Sequence, residues 1–455
     1  MRRKISMLAK ILLYAGTALA MFLVPVATVI DDEFPVYRVV VDPGHGGINV
    51  DPVEKYGDRY DLISKKYLEV FREGSAYGGL EESVLMYDIS VKVAALLKKT
   101  ETDEGWLEFR DMLGKYSSEE PKRIIIKGFL SRKESRSRDE LQKRKDPNVD
   151  YRLFDFPDQG GRIQPGRISY INSLKPQLVV SLHCAQSAPS DQIGMSAVIA
   201  PPYSFMKKGL DVMKGEISGN SFFYNSPYDN WFEEKSHSTL YHWFLSDSSM
   251  YFTGYPLTRS NDININRFKG YRQNMVTWAY ADAPGWENDA LSHPEKSRYA
   301  ADHKGFIAEG KYWEREKSVF EGYRRDGGME GYGGDNYYAS NEIIRYMLSA
   351  LAESGYTHND LRLAQPYLSV WSVPLYVNAV SAYVELGYLK MPSYQKMFRE
   401  KQDIVAEGIA AGIYSLLAGS DAGKVSFRYK PKGKKLDLEK YKISSSETYF
   451  EAVAK

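Results

Sequence analysis

Two histidines and a carboxylate stand in this chain where metal-assisted hydrolysis would need them. His45 lies in Asp42-Pro43-Gly44-His45-Gly46-Gly47, a glycine-rich loop directly after a short β-branched run. His183 ends a second such run, Leu178-Val179-Val180-Ser181-Leu182-His183, and Glu82 opens a stretch with helical apolar spacing. Strand ends of open α/β sheets are where ligands bind, and glycine lets a metal or substrate approach the backbone. A His, a carboxylate and a second His make a catalytic zinc site with a fourth position open for water. Taken singly, each histidine reads rather as a hydrogen-bonded loop or core residue.

The elements that must position these groups alternate along the chain. Val36 to Asp42 reads as a buried strand stopped by Pro-Gly. Leu85, Ile89, Val93, Leu96 and Leu97 give the segment from Glu82 to Lys99 a helical apolar stripe with lysines at its end. Gly166 to Leu174 reads as a helix, and Leu178 to His183 as a second buried strand. Ser340 to Glu353 reads as a helix closed by Gly355. Val380 to Leu386 reads as a strand, and Pro392 to Leu417 as one helix with proline at its start. This alternation predicts an α/β fold, a mostly parallel sheet flanked by helices.

Three stretches break the rhythm and read as insertions: a polar loop at about 48–79, a charged segment at 100–164, and 202–338. The last holds five of the seven tryptophans, an aromatic density that predicts a folded segment. Residues 418–455 read as a polar basic tail, solvated from Ser420 onward.

The 455 residues carry 60 basic and 59 acidic side chains, a net charge of +1 that argues against nucleic acid as a partner. The single cysteine, Cys184, excludes an intramolecular disulfide framework and a cysteine-based zinc finger. Directly after the ligand candidate His183 on a strand, it points to the other face and reads as a small buried side chain. At the amino terminus Arg2, Arg3, Lys4 and Lys10 precede an uncharged run from Ile11 to Ile30, followed by Asp31, Asp32 and Glu33. Such a run spans about 30 Å as a helix, and basic-before-acidic flanks orient it with its start in the cytoplasm. Residues 1–33 therefore read as either a signal peptide or an N-terminal membrane anchor, with the remainder exported to the periplasm or cell envelope.

Asp42-Pro43-Gly44-His45-Gly46-Gly47 resembles the opening motif of the zinc-dependent N-acetylmuramoyl-L-alanine amidases, the amidase type 3 family. The resemblance recurs in order. Glu82-Ser83-Val84-Leu85 and its helix are similar to the family's glutamate-led helix, and Leu130-Ser131-Arg132 to its Leu-Thr-Arg strand end. Arg167 to Asn172 matches Arg-x-x-x-Ala-Asn with Ile171 for Ala. Val180 to Ala185 resembles Val-Ser-Ile-His-Ala-Asn, and Ala382 to Leu389 resembles Val-Leu-Val-Glu-Leu-Gly-Phe-Leu.

The resemblance implies one catalytic domain over 34–417, a single zinc ion bound by His45, Glu82 and His183, and peptidoglycan as substrate; the alternative readings are a catalytically silent or regulatory peptidoglycan-binding envelope protein and a zinc hydrolase for another amide. It implies Glu385 as catalytic general acid/base, a role for which burial in an apolar strand would raise its pKa. Glu82 is preferred to Glu81 because only Glu82 keeps Leu85, Ile89, Val93 and Leu96 on the family's apolar positions. Arg132 and Arg167 become candidate contacts for acidic stem-peptide groups, with structural hydrogen bonds across loops as the competing role for Arg167. Family members with a regulated site carry an inhibitory helix where the 202–338 insertion lies, which implies an activator or regulator protein.

Overall fold

The computed structural model describes residues 34–61, 66–188, 193–199, 332–364, 366–368, 373–375, 377 and 379–439. The N-terminal segment 1–33, the aromatic insertion up to residue 331 and the end of the tail lie outside the described residues. No helix among the described residues is long and apolar enough to cross a membrane.

Six strands form the central sheet: β1 (Val36–Pro43), β2 (Ile125–Leu130), β3 (Leu178–Ala185), β4 (Ser196–Ile199), β5 (Tyr367–Leu368) and β6 (Val380–Tyr388). Their spatial order is β5-β4-β6-β3-β1-β2. β3 pairs in parallel with β1 and with β6, whereas β4 runs antiparallel to β6. From β1 the chain goes first to β2 on one flank, through α1 (Glu82–Lys98) and α2 (Asp103–Leu113). It then crosses to β3 on the other flank through α3 (Arg167–Ser173). The order reverses between β1 and β3, and such a switch point opens a crevice at the carboxyl ends of the strands.

Strand alternation gives the sheet two different faces. Val39, Val41, Leu178, Val180, Leu182, Val380, Ala382 and Val384 join the main core on one face. α1 covers this face with Leu85, Met86, Ile89, Val93 and Leu97, together with α4 (Tyr332–Glu353) and α6 (Gln402–Ala418). On the other face a small cluster of Val40, Val179, Ile171 and Val373 gives way, toward the strand ends, to polar residues. Asp42, Ser181 and Tyr383 stand side by side there, and His183 stands beside Glu385.

Three expectations need correction. The segment from Pro392 to Leu417 is not one helix: α5 (Pro392–Glu400) and α6 are separated at Lys401, whose φ of −127° and ψ of 20° leave the helical region. α5 buries only Ser393, Tyr394, Met397 and Phe398, whereas α6 is buried almost all round, so the two need different axes. No Pro or Gly marks the break.

The charged stretch 100–164 also supplies framework. Its helix α2 buries Trp106, Phe109, Met112 and Leu113 against the main core, and its strand β2 is the sheet edge. The tail, finally, is packed as far as it is described. Val425 and Leu436 are buried, Glu342 accepts hydrogen bonds from the backbone of Lys432 and Gly433 at 2.9 and 2.7 Å, and Asp421 binds Ser117 and Ser118. Regularly placed apolar residues and a buried carboxylate hold it down despite its lysines.

Candidate metal centre

β1 ends at Pro43, which has no N–H to continue a ladder, and the next residues turn sharply off the sheet. His45 has φ of 53°, in the left-handed region. Gly44 must be glycine: a Cβ there would come within 2.4 Å of the His183 ring. The two loops thus meet backbone against imidazole, and the Gly44 N–H donates to the Leu182 carbonyl at 2.8 Å.

His45, Glu82 and His183 converge at this point, with ligand atoms all within 4.8 Å of one another, so the group can hold a metal ion. Glu82 Oε1 lies 3.7 Å from His45 Nε2 and 3.1 Å from His183 Nδ1. Those separations bracket the roughly 3.4 Å edge expected for tetrahedral zinc with bonds of about 2.1 Å. The imidazoles meet edge-on, centroids 4.8 Å apart at 84°. Two nitrogen donors and one carboxylate oxygen form a borderline set that suits zinc among the common divalent metals.

Each ligand is oriented by a further group. His45 Nδ1 donates to the Arg72 carbonyl at 3.1 Å; because a carbonyl only accepts, the proton is on Nδ1 and the Nε2 lone pair faces Glu82. Glu82 is the first residue of α1 and is held by backbone N–H groups on both oxygens, Ser75 at 2.7 Å and Cys184 at 3.0 Å. His183 is stacked on the Tyr383 ring at 4.1 Å and 11°. Neighbouring Glu81 lies outside the group and accepts from the Arg138 N–H at 3.2 Å. Cys184 is buried on the opposite face, as alternation requires.

The electrostatics favour cation binding. Burial opposes the ionisation of Glu82, but the two imidazoles and the backbone donors outweigh it and hold its carboxyl well below the usual carboxylate range. Burial lowers the pKa of His45, against the opposing pull of Glu82, so its neutral ligating form is favoured.

Glu385 stands on β6 beside His183 in register, on the same sheet face. It is half-buried, and its Oε2 is shielded from solvent without a hydrogen-bond partner. Burial first, then the charge of Glu82, push its pKa well above the ordinary glutamate value.

Arg132 and Arg167 are only 3% and 5% exposed. Arg167 pairs with Asp42 and donates to the carbonyls of Pro43 at 2.8 Å and His45 at 3.4 Å. Although burial would raise the pKa of Asp42, Arg167 and the hydroxyl of Ser131 keep it lowered, and Ser181 adds a hydrogen bond at 2.8 Å. Arg132 donates to the carbonyls of Ser83 and of Glu134, and its guanidinium lies over the rings of Tyr87 and Tyr151. Both arginines therefore shape the histidine loop and the start of α1 through the backbone. Sequence reasoning did not assign Tyr383 or Arg72 to the site. Tyr383 was legible by alternation, two residues before Glu385, whereas Arg72 carried no signal.

No protein-family model matches the chain, and no curated protein sequence matches it. Solved structures that match include the N-acetylmuramyl-L-alanine amidase of Mycobacterium smegmatis, at 15% identity over 83% of this chain and 94% of that one, with a TM-score of 0.32. The apo amidase of Mycobacterium abscessus has 12% identity over 83% and 96%, with a TM-score of 0.31. The N-acetylmuramoyl-L-alanine amidase of Clostridium difficile has 12% identity over 84% and 96%, with a TM-score of 0.28.

Proposed function

We propose that this protein is a zinc-dependent hydrolase that cleaves the amide between N-acetylmuramic acid and L-alanine in peptidoglycan. The supporting observation is the meeting of His45, Glu82 and His183 at the sheet's switch point, beside the partnerless buried oxygen of Glu385. The ordered motif series from Asp42 to Leu389 supplies the substrate class. The basic-then-apolar segment before Phe34 supports delivery to the cell envelope.

A zinc ion on the three ligands would supply Lewis acidity to the amide carbonyl and to the attacking water. The remaining work falls to the chain. Glu385 takes a proton from the water as its oxygen bonds to the carbonyl carbon, then returns it to the alanine nitrogen as the carbon–nitrogen bond breaks. The products are a lactyl carboxylate and a free amino group. Arg167 holds the backbone of Pro43 and His45 in place, and Tyr383 fixes the plane of the His183 ring.

The test is digestion of purified peptidoglycan by zinc-loaded protein with and without a chelator. Release of stem peptides with free amino-terminal alanine, abolished by the chelator, is expected. Intact peptidoglycan at every protein concentration, or cleavage within the glycan or the peptide, would overturn the reading.

A further inference from the structure

Tyr383 stacks on the His183 ring, and for that task a phenylalanine would serve equally well. Its hydroxyl makes no hydrogen bond among the described residues. Yet the residue is half-buried and lines the cleft with Asp42, His45, Arg167 and His183. A tyrosine hydroxyl drawn into a protein normally finds a partner, because an unmet donor there costs free energy. In the motif series Ala382-Tyr383-Val384-Glu385 stands against Val-Leu-Val-Glu, so the pattern asks only for an apolar residue at this position. The hydroxyl is an addition that neither the stack nor the core explains.

Two features bear on what it is for. Tyr383 pairs in register with Ser181, but its ring lies on His183, two positions nearer the carboxyl end of β3. The side chain therefore leans along the strand toward the metal ligands. The polar groups around it are already engaged. Asp42 accepts from Arg167, Ser131 and Ser181. Arg167 also donates to the carbonyls of Pro43 and His45, and the His45 Nδ1 proton goes to the Arg72 carbonyl. The phenol is left as an uncommitted donor in the cleft.

Attack of water on an amide turns the carbonyl oxygen into an oxyanion. A donor already held beside that oxygen binds it more strongly as the charge grows, which stabilises the transition state above the ground state. From this we infer that Tyr383 is a second catalytic residue, whose hydroxyl donates a hydrogen bond to the amide carbonyl oxygen as the tetrahedral carbon forms. The phenol keeps its proton throughout; the proton that moves comes from the attacking water and passes by way of Glu385. The inference rests on the amidase reading and adds to it a donor for the reacting oxygen, two residues before Glu385 on the same face of β6.

The experiment compares the zinc-loaded wild type with Tyr383→Phe, which keeps the ring and removes the hydroxyl. The probes are a muramyl peptide and its analogue in which a tetrahedral phosphinate replaces the lactyl amide. Tyr383→Phe is expected to retain zinc affinity and KM, to lower kcat about tenfold, and to weaken the phosphinate by the same factor in calorimetry. Equal phosphinate affinity in the two proteins overturns the role. So does a loss of zinc affinity in Tyr383→Phe, which would make the hydroxyl a support of the metal centre. Weaker phosphinate binding by Tyr383→Phe, with no cleavage of the muramyl peptide by the wild type, upholds the hydrogen bond and sinks the amidase reading. Cleavage at the same rate by both proteins does the reverse. Neither binding nor cleavage by the wild type sinks both.

Discussion

The two faces of the central sheet are built from the same strands yet obey different rules. On one face Val41, Val180 and Ala382 are fully buried among the residues of α1, α4 and α6, and their stabilisation comes from area removed from water. On the other, Asp42, Ser181, Tyr383, His183 and Glu385 stand in adjacent rows, where every group must be matched by a partner or held ready for one. Such polar groups weaken a core, and in the proposed hydrolase their concentration at the switch point is where stability would be traded for chemistry. The comparison separates residues whose loss should cost folding from those whose loss should cost activity.

The largest effect is expected at Glu385. Glu385→Gln should lower turnover of peptidoglycan by about 10²- to 10⁴-fold, the usual contribution of a positioned acid/base, while zinc affinity remains. Burial raises the pKa of Glu385, and because a base must be ionised to act, turnover should rise with pH above the ordinary glutamate range. The same shift predicts a gain in stability. A carboxyl whose folded pKa is raised stabilises the fold below its unfolded pKa of about 4.3 and loses that contribution as pH rises through the folded value. In the zinc-free protein Glu385→Gln should therefore melt higher than the wild type near neutral pH, with no gain at pH 4. A melting temperature lower at both pH values would contradict this assignment.

Arg167→Ala probes a polar residue with a structural task. It strands the buried charge of Asp42 and should cost about 3–5 kcal/mol in denaturant unfolding. Zinc affinity should fall with it, because the carbonyls of Pro43 and His45 lose their donor. A purely raised KM with unchanged stability would restore Arg167 to the substrate. On the apolar face, Leu178→Ala should cost about 2–5 kcal/mol with zinc affinity within about twofold. Equal loss of stability and zinc binding would show that the faces are not separable. Tyr383→Leu should have the smallest effect, weakening zinc about tenfold by freeing the His183 ring, while Tyr383→Phe keeps the stack and the affinity.

The fold was legible where residues alternate with a fixed period. Val36 to Asp42, Leu178 to His183 and Val380 to Leu386 are β-branched or apolar runs that only a covered sheet accommodates. The choice of Glu82 over Glu81 came from the family resemblance, which sets the positions of the apolar stripe of α1. The break at Lys401 was not legible, since tertiary packing rather than a breaker residue imposes it. The packing of Val425 and Leu436 was hidden by the lysines around them, and the framework role of 100–164 by its charge. Among site residues, the candidate ligands announce themselves by type. Arg72 and Tyr383 do not, because their importance lies in which loop or ring they touch across long sequence separations.

In the proposed hydrolase one zinc ion sits on the polar face among His45, Glu82 and His183. Anomalous diffraction at the zinc edge from crystals of the zinc-loaded protein tests it directly. A single strong peak within about 2.2 Å of all three side chains is expected. A peak elsewhere, or none at full zinc occupancy in solution, would contradict it.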